Sequence, residues 1–166
     1  MKVFLFSLLF TFSVLAADIV GFWKTIDDAT KKAQSVVAVY PYKGKYYGRI
    51  VATYDEHTGE LKDTIYTPDE RAPGVVGDPH YAGLDLIYNL VPKDHKFVGN
   101  IIDPQKGKEY GAELWVNKKG NLIVRGKILI FGRNQEWLPF HENEFTQDFP
   151  KPDVVAFVPI VPKVKK

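Results

Sequence analysis

Eight short runs rich in Val, Ile, Tyr, Phe and Trp follow one another along the chain, with little helical periodicity between them. They read DIVGFWKT, QSVVAVYPY, YYGRIVATY, LDLIYNLV, KFVGNIID, EYGAELWV, NLIVRGKILIF and NQEWLPF. Turn chemistry separates them at Lys43-Gly44-Lys45, Pro92-Lys93-Asp94, Pro104 to Gly107 and Asn117 to Gly120. β-Branched and aromatic residues suit a pleated, half-buried surface, and tight turns join such strands into antiparallel meanders. A meander of about eight strands either closes on itself or stacks. The expectation is an all-β chain with one domain.

Ahead of the first run stands MKVFLFSLLFTFSVLAAD, one Lys followed by an apolar stretch from Val3 to Leu15 and small residues at Ala16 and Ala17. That is the layout of a secretory signal peptide. The stretch is shorter than the roughly 20 residues that span a bilayer. Residues 1–17 are expected to be removed, by cleavage after Ala16 or Ala17, and the mature protein to be exported, periplasmic or secreted. The rest of the 166-residue chain is long enough for one domain with its own core. There is no Cys, so thiol chemistry and disulfide staples are excluded and the core must hold the fold alone. Of the net charge of +2, Lys2 belongs to the leader and Lys163, Lys165 and Lys166 to the tail, which leaves the body slightly acidic. A body of that charge is a poor partner for nucleic acid.

Two segments break the strand rhythm. Residues 55–80, DEHTGELKDTIYTPDERAPGVVGDPH, form a long polar connection, expected either to flap over one end of the sheet, with a helical turn near Tyr81 to Leu84, or to be a solvated insertion. The tail, residues 141–166, holds an apolar run from Val154 to Val161 that Pro159 interrupts. Pro cannot donate to a ladder, so this run is expected as an edge strand along the body, with a partner-binding or membrane-touching tail as the rival reading.

Enzyme chemistry finds little support. His57, His80, His95 and His141 make no close pair, so no metal site is expected. Ser35 is the single Ser outside the leader and sits in no nucleophile elbow. Asp27-Asp28 and Asp55-Glu56 are adjacent acids in turns, where water keeps them ionised. Gly74, Gly77 and Gly83 lie in a Pro-rich loop rather than in a phosphate-binding turn. No catalytic residue, cofactor or metal is expected.

Gly21-Phe22-Trp23 matches the Gly-x-Trp of the first strand in lipocalins and related calycins. More specifically, the chain from about Gly21 to Trp137 resembles a family of small secreted bacterial proteins known as a domain of unknown function, family 2147. The likeness rests on Gly21 to Thr25, GKYYGRIV (Gly44 to Val51), Gly83-Leu84, GNIIDPQKGKEYGAEL (Gly99 to Leu114), LIVRGKI (Leu122 to Ile128) and FGRNQEW (Phe131 to Trp137). The 63–80 region and the tail beyond Phe140 depart from it. The resemblance implies an up-and-down antiparallel barrel of about eight strands, lipocalin-like, over residues 18–140. It also implies that Trp23, with Gly21, packs across a closed end under an Arg near the last strand, Arg133 or, failing that, Arg125.

Such a barrel is either filled by side chains or holds one small ligand. In YGAELWV the register places Tyr110, Ala112, Leu114 and Val116 inward, with Glu113 and Trp115 outside. The small residues Gly99, Ala112 and Gly126 either leave a cavity or only relieve crowding where the sheet coils. Tyr47, Tyr88, Phe97, Tyr110 and Trp137 are the expected ligand-contacting residues. The function expected is non-covalent binding or transport of a small hydrophobic or amphipathic molecule, without stable membrane insertion. The alternative is a filled barrel that grips a protein partner through the 55–80 loop or the tail.

Overall fold

A computed structural model describes residues 18–128 and 131–166; the expected signal peptide, residues 1–17, lies outside the described residues. The strands are β1 (Gly21–Ile26), β2 (Ala33–Tyr42), β3 (Lys45–Tyr54), β4 (Leu61–Thr64), β5 (Asp85–Lys93), β6 (Lys96–Asp103), β7 (Lys108–Val116), β8 (Leu122–Ile128) and β9 (Phe131–Pro139). Each expected run holds one strand, except that NLIVRGKILIF forms β8 up to Ile128 and gives Phe131 to β9, with 129–130 outside the described residues. The turn residues between strands take backbone conformations that strands cannot. Lys43 and Gly44 both have positive φ in the β2–β3 turn, for example.

Every pairing is antiparallel, and the chain runs up and down around a closed circuit. β1 pairs with β2 on one side and β9 on the other, and β2 pairs with β3 to complete the ring. The eight-stranded lipocalin-like barrel expected from the sequence is the fold. β4 is an addition. It lies inside what read as a structureless connection, and it pairs with Ala52 to Tyr54 of β3, beyond the point where β5 pairs with Tyr46 to Arg49. β3 therefore hands its outer edge from one neighbour to another partway along, and the barrel wall parts there.

Alternation sorts the side chains onto two buried faces. The lumen is filled at one end by Trp23, Val39, Leu90, Phe97, Leu114 and Leu122. The outer wall of β2, β3 and β5 is buried as well, beneath residues 65–84 and the tail. The 65–84 segment is a strap along the outside, corrected from the expected flap over a mouth, although Glu70 and Tyr81 contribute to one rim. A turn does form at its end, where the Leu84 amide donates to the Tyr81 carbonyl.

Gly74 holds the strap to the β6–β7 turn by backbone contact. Its amide donates to the Pro104 carbonyl at 2.9 Å, and a Cβ on Gly74 would stand 2.2 Å from the Gly107 nitrogen. Gly74→Ala is therefore expected to dislodge the strap. Hydrogen exchange at Ala72 to Asp78 should rise well before the barrel amides exchange. Unchanged protection there would refute the docking.

The tail is not the edge strand expected. Beyond two short 3₁₀ turns, Glu142–Glu144 and Val154–Ala156, it is extended without a ladder, save a single bridge between Val75 and Val164. Prolines at 150, 152, 159 and 162 remove the donors that a ladder needs. Phe149, Val154 and Phe157 pack it against the outer wall instead.

Candidate functional site

The lumen narrows from an open mouth to a filled end. The strand ends at the mouth are the C-terminal ends of β1, β3, β6 and β8 and the N-terminal ends of β2, β5, β7 and β9. Two adjoining cavities open there, of about 410 Å³ and 440 Å³, which share Gln34, Ser35, Asp103 and Pro104 in their walls. The first reaches into the barrel, floored by Ile101, Val124 and Trp137. The second is the notch left where β3 turns aside to β4, lined by Thr53, Tyr54, Glu70 and Tyr81.

Of the expected ligand contacts, two meet in this cavity. Tyr110 lines the mouth, and Trp137 forms part of the floor, 2% exposed, its Nε1 donating to the Gln135 side-chain oxygen at 3.2 Å. Phe97 is inside the barrel but belongs to the filled end, stacked edge-on against Tyr46 with ring centroids 5.0 Å apart. Tyr47 and Tyr88 are corrected outright. Both face the outer wall, in the cluster that the strap and tail cover. There the Tyr88 hydroxyl bonds Glu109, and burial, then that bond, raises its pKa above the ordinary tyrosine value.

The small residues divide. Nothing stands within 4 Å of where a Gly126 Cβ would be, and Gly126 borders the cavity, so there the missing side chain leaves space. A Cβ on Gly99 would instead stand 2.8 Å from the Tyr88 carbonyl oxygen, at the bulge between β5 and β6. Gly99 relieves crowding.

The filled end differs from the expected plug in one part. Trp23 is buried, and its Nε1 donates to the Ile19 carbonyl at 2.9 Å. Gly21, at φ +148°, takes a backbone conformation that glycine favours and that brings the chain back past this ring. Arg133 does not cover the indole. It lies at the open mouth, exposed, and pairs with Asp28 at 2.7 Å. Trp23 pairs with Pro139 at the far end of β9, six residues from Arg133 and so roughly 20 Å along the strand. Arg125 alternates with Val124 and Gly126 and faces outward. Among the described residues, cation–ring contacts fall on Tyr40, Tyr42, Trp115, Phe140 and Phe157.

A polar cluster that sequence reading missed lies outside the lumen. Asp85, 2% exposed, accepts from the Tyr40 hydroxyl at 2.7 Å, from Arg49 Nε and Nη2 at 3.1 and 2.7 Å, and from the Ile160 amide at 2.9 Å. Arg49 also donates to the Val158 carbonyl at 2.8 Å. This cluster ties β2, β3 and β5 to the tail. Every acceptor on Asp85 is taken, so the cluster holds structure, although Asp85 also borders a cavity of about 350 Å³ between strap and tail, lined by Val75, Leu84, Ile160 and Val161.

A family model described as "Uncharacterized protein conserved in bacteria (DUF2147)" matches residues 21–138. The fold is similar to that of protein HP1028 from the human pathogen Helicobacter pylori, described as belonging to the lipocalin family. The TM-score is 0.59 at 18% identity, over 76% of this chain and 86% of that one. At that identity the likeness concerns the fold. No curated protein matches the chain.

Proposed function

Since this chain belongs to the DUF2147 family of bacterial proteins, whose description assigns no activity, we propose a function from the mouth itself: an exported carrier that binds a small hydrophobic or amphipathic molecule in the barrel, without covalent chemistry. The observation that carries this reading is the cavity of about 410 Å³ between a polar rim and an apolar floor of Ile101, Val124 and Trp137. Ligand sites of this kind join a mostly apolar concavity to a few placed polar groups.

Gly126→Val is the direct test, because a Cβ there would meet nothing within 4 Å and the added side chain would stand at the border of the cavity. The variant is expected to melt within a few degrees of the wild type and to lose most uptake of a fluorescent fatty-acyl probe. Equal uptake by both proteins would remove the ligand from the barrel.

A second reading is supported by a separate feature. Val155, Val158, Ile160 and Val161 of the tail are exposed, Val155 at 91%. Apolar residues so presented suit a protein partner. Ile160→Asp separates the two readings, since it alters this strip and leaves the mouth intact.

A further inference from the structure

The wall of the mouth is not uniform in chemistry. One part is apolar, ending on Trp137. Beside that tryptophan, beginning on the neighbouring strand β1, three hydroxyls stand in a row across β1, β2 and β3. Thr25 stands opposite Ser35, and Ser35 stands opposite Thr53. Thr25 and Ser35 satisfy one another, with their oxygens 2.8 Å apart and the Ser35 amide donating to Thr25 Oγ1 at 3.0 Å. Thr53 does not share in this. Thr53 borders the notch, and its Oγ1 is buried without a hydrogen-bond partner among the described residues. A buried hydroxyl left without a partner is uncommon and costly.

The charges around the mouth do not form a cradle for an anion. Arg133 is engaged by Asp28, and Lys62 by Glu70 at 2.9 Å. Lys106 shares its turn with Asp103, whose carboxylate accepts from the Gln105 and Lys106 amides. Asp55 and Glu56 add further negative charge at the notch. A carboxylate head group would meet as many acids here as bases, and would lose its hydration for no ion pair.

We infer that the ligand of this mouth carries an uncharged head group bearing hydroxyl or carbonyl oxygens, seated along Thr25, Ser35 and Thr53, with its apolar part against Trp137. Thr53 is the specificity-determining residue, since its hydroxyl is the one in the row left to bond the ligand. This inference rests on the carrier reading above and narrows it to neutral amphiphiles.

Two probes with one acyl chain test it: 1-dodecanoylglycerol and dodecanoate, titrated calorimetrically into the mature chain below the concentration at which either aggregates. The glyceride is expected to bind more tightly. Thr53→Val, nearly isosteric, should weaken glyceride binding by about three- to tenfold, the loss of one hydrogen bond, and leave dodecanoate unchanged. Thr53→Ser, which keeps the hydroxyl, should restore the glyceride. Dodecanoate binding as tightly as the glyceride, or Thr53→Val weakening both alike, would overturn the inference while the carrier reading stands. Folded protein that takes up neither probe would overturn both.

Discussion

Replacing Asp85 by alanine is expected to lower the stability of the folded chain by about 3–5 kcal/mol and its Tm by roughly 10 °C. The physical reason is what remains after the carboxylate goes. Arg49 keeps its charge with only 14% of its side chain exposed, and the Tyr40 hydroxyl and Ile160 amide lose their acceptor. A buried ion pair adds little over an apolar pair of equal volume, yet removing one partner leaves the other charge uncompensated. Adding Arg49→Met to Asp85→Ala should therefore recover part of the loss. Thermal melts of the two single variants and the double variant check this, and a double variant less stable than Asp85→Ala would reject the explanation. The same cluster sets an alkaline limit. Burial, then the bond to Asp85, raises the Tyr40 pKa above the ordinary tyrosine value. A proton held more tightly in the folded chain than in the unfolded one supports folding fully below about pH 10 and ceases to as pH rises beyond it. Tyr40→Phe should flatten that alkaline decline.

Trp23→Ala is expected to cost about 3–5 kcal/mol, as for a large aromatic removed from a core that cannot collapse around the gap. The neighbours are strand residues such as Val39 and Leu122, fixed by ladders on both sides, so little relaxation can refill the space. Trp23→Phe should lose much less, keeping the ring bulk while giving up the bond from Nε1 to the Ile19 carbonyl. Denaturant melts give both values. A Tm unmoved by Trp23→Ala would end the idea that this ring fills the closed end. Because the mouth lies at the opposite end of the lumen, probe uptake by Trp23→Phe should match the wild type.

How far the residues could be placed from sequence depended on what covers each strand. β7 was legible. Its inner face, Tyr110, Ala112, Leu114 and Val116, alternates with Glu113 and Trp115, and water reaches the outer face, where Lys96 and Lys127 pair with Glu113. β2, β3 and β5 were not. Both of their faces are buried, one in the lumen and one under the strap and tail, so apolar and aromatic residues occupy successive positions and alternation carries no sign. Tyr47 and Tyr88 were misplaced for that reason. Arg133 was misplaced for another: nearness in chain order to the last strand says nothing about which end of that strand meets Trp23.

Local chemistry determined the strands and their turns, because period-two patterning and turn residues act over a few neighbours at a time, whereas closure into a ring and the packing of Trp23 across one end were implied by the family resemblance. Tertiary structure alone decided that β3 changes partner and opens a notch, that Asp85 gathers Arg49, Tyr40 and the tail, and that Thr25, Ser35 and Thr53 share one wall of the mouth. Those contacts join residues far apart in the chain, and their geometry is set by the register and bulges of paired strands. A single strand read alone carries no register.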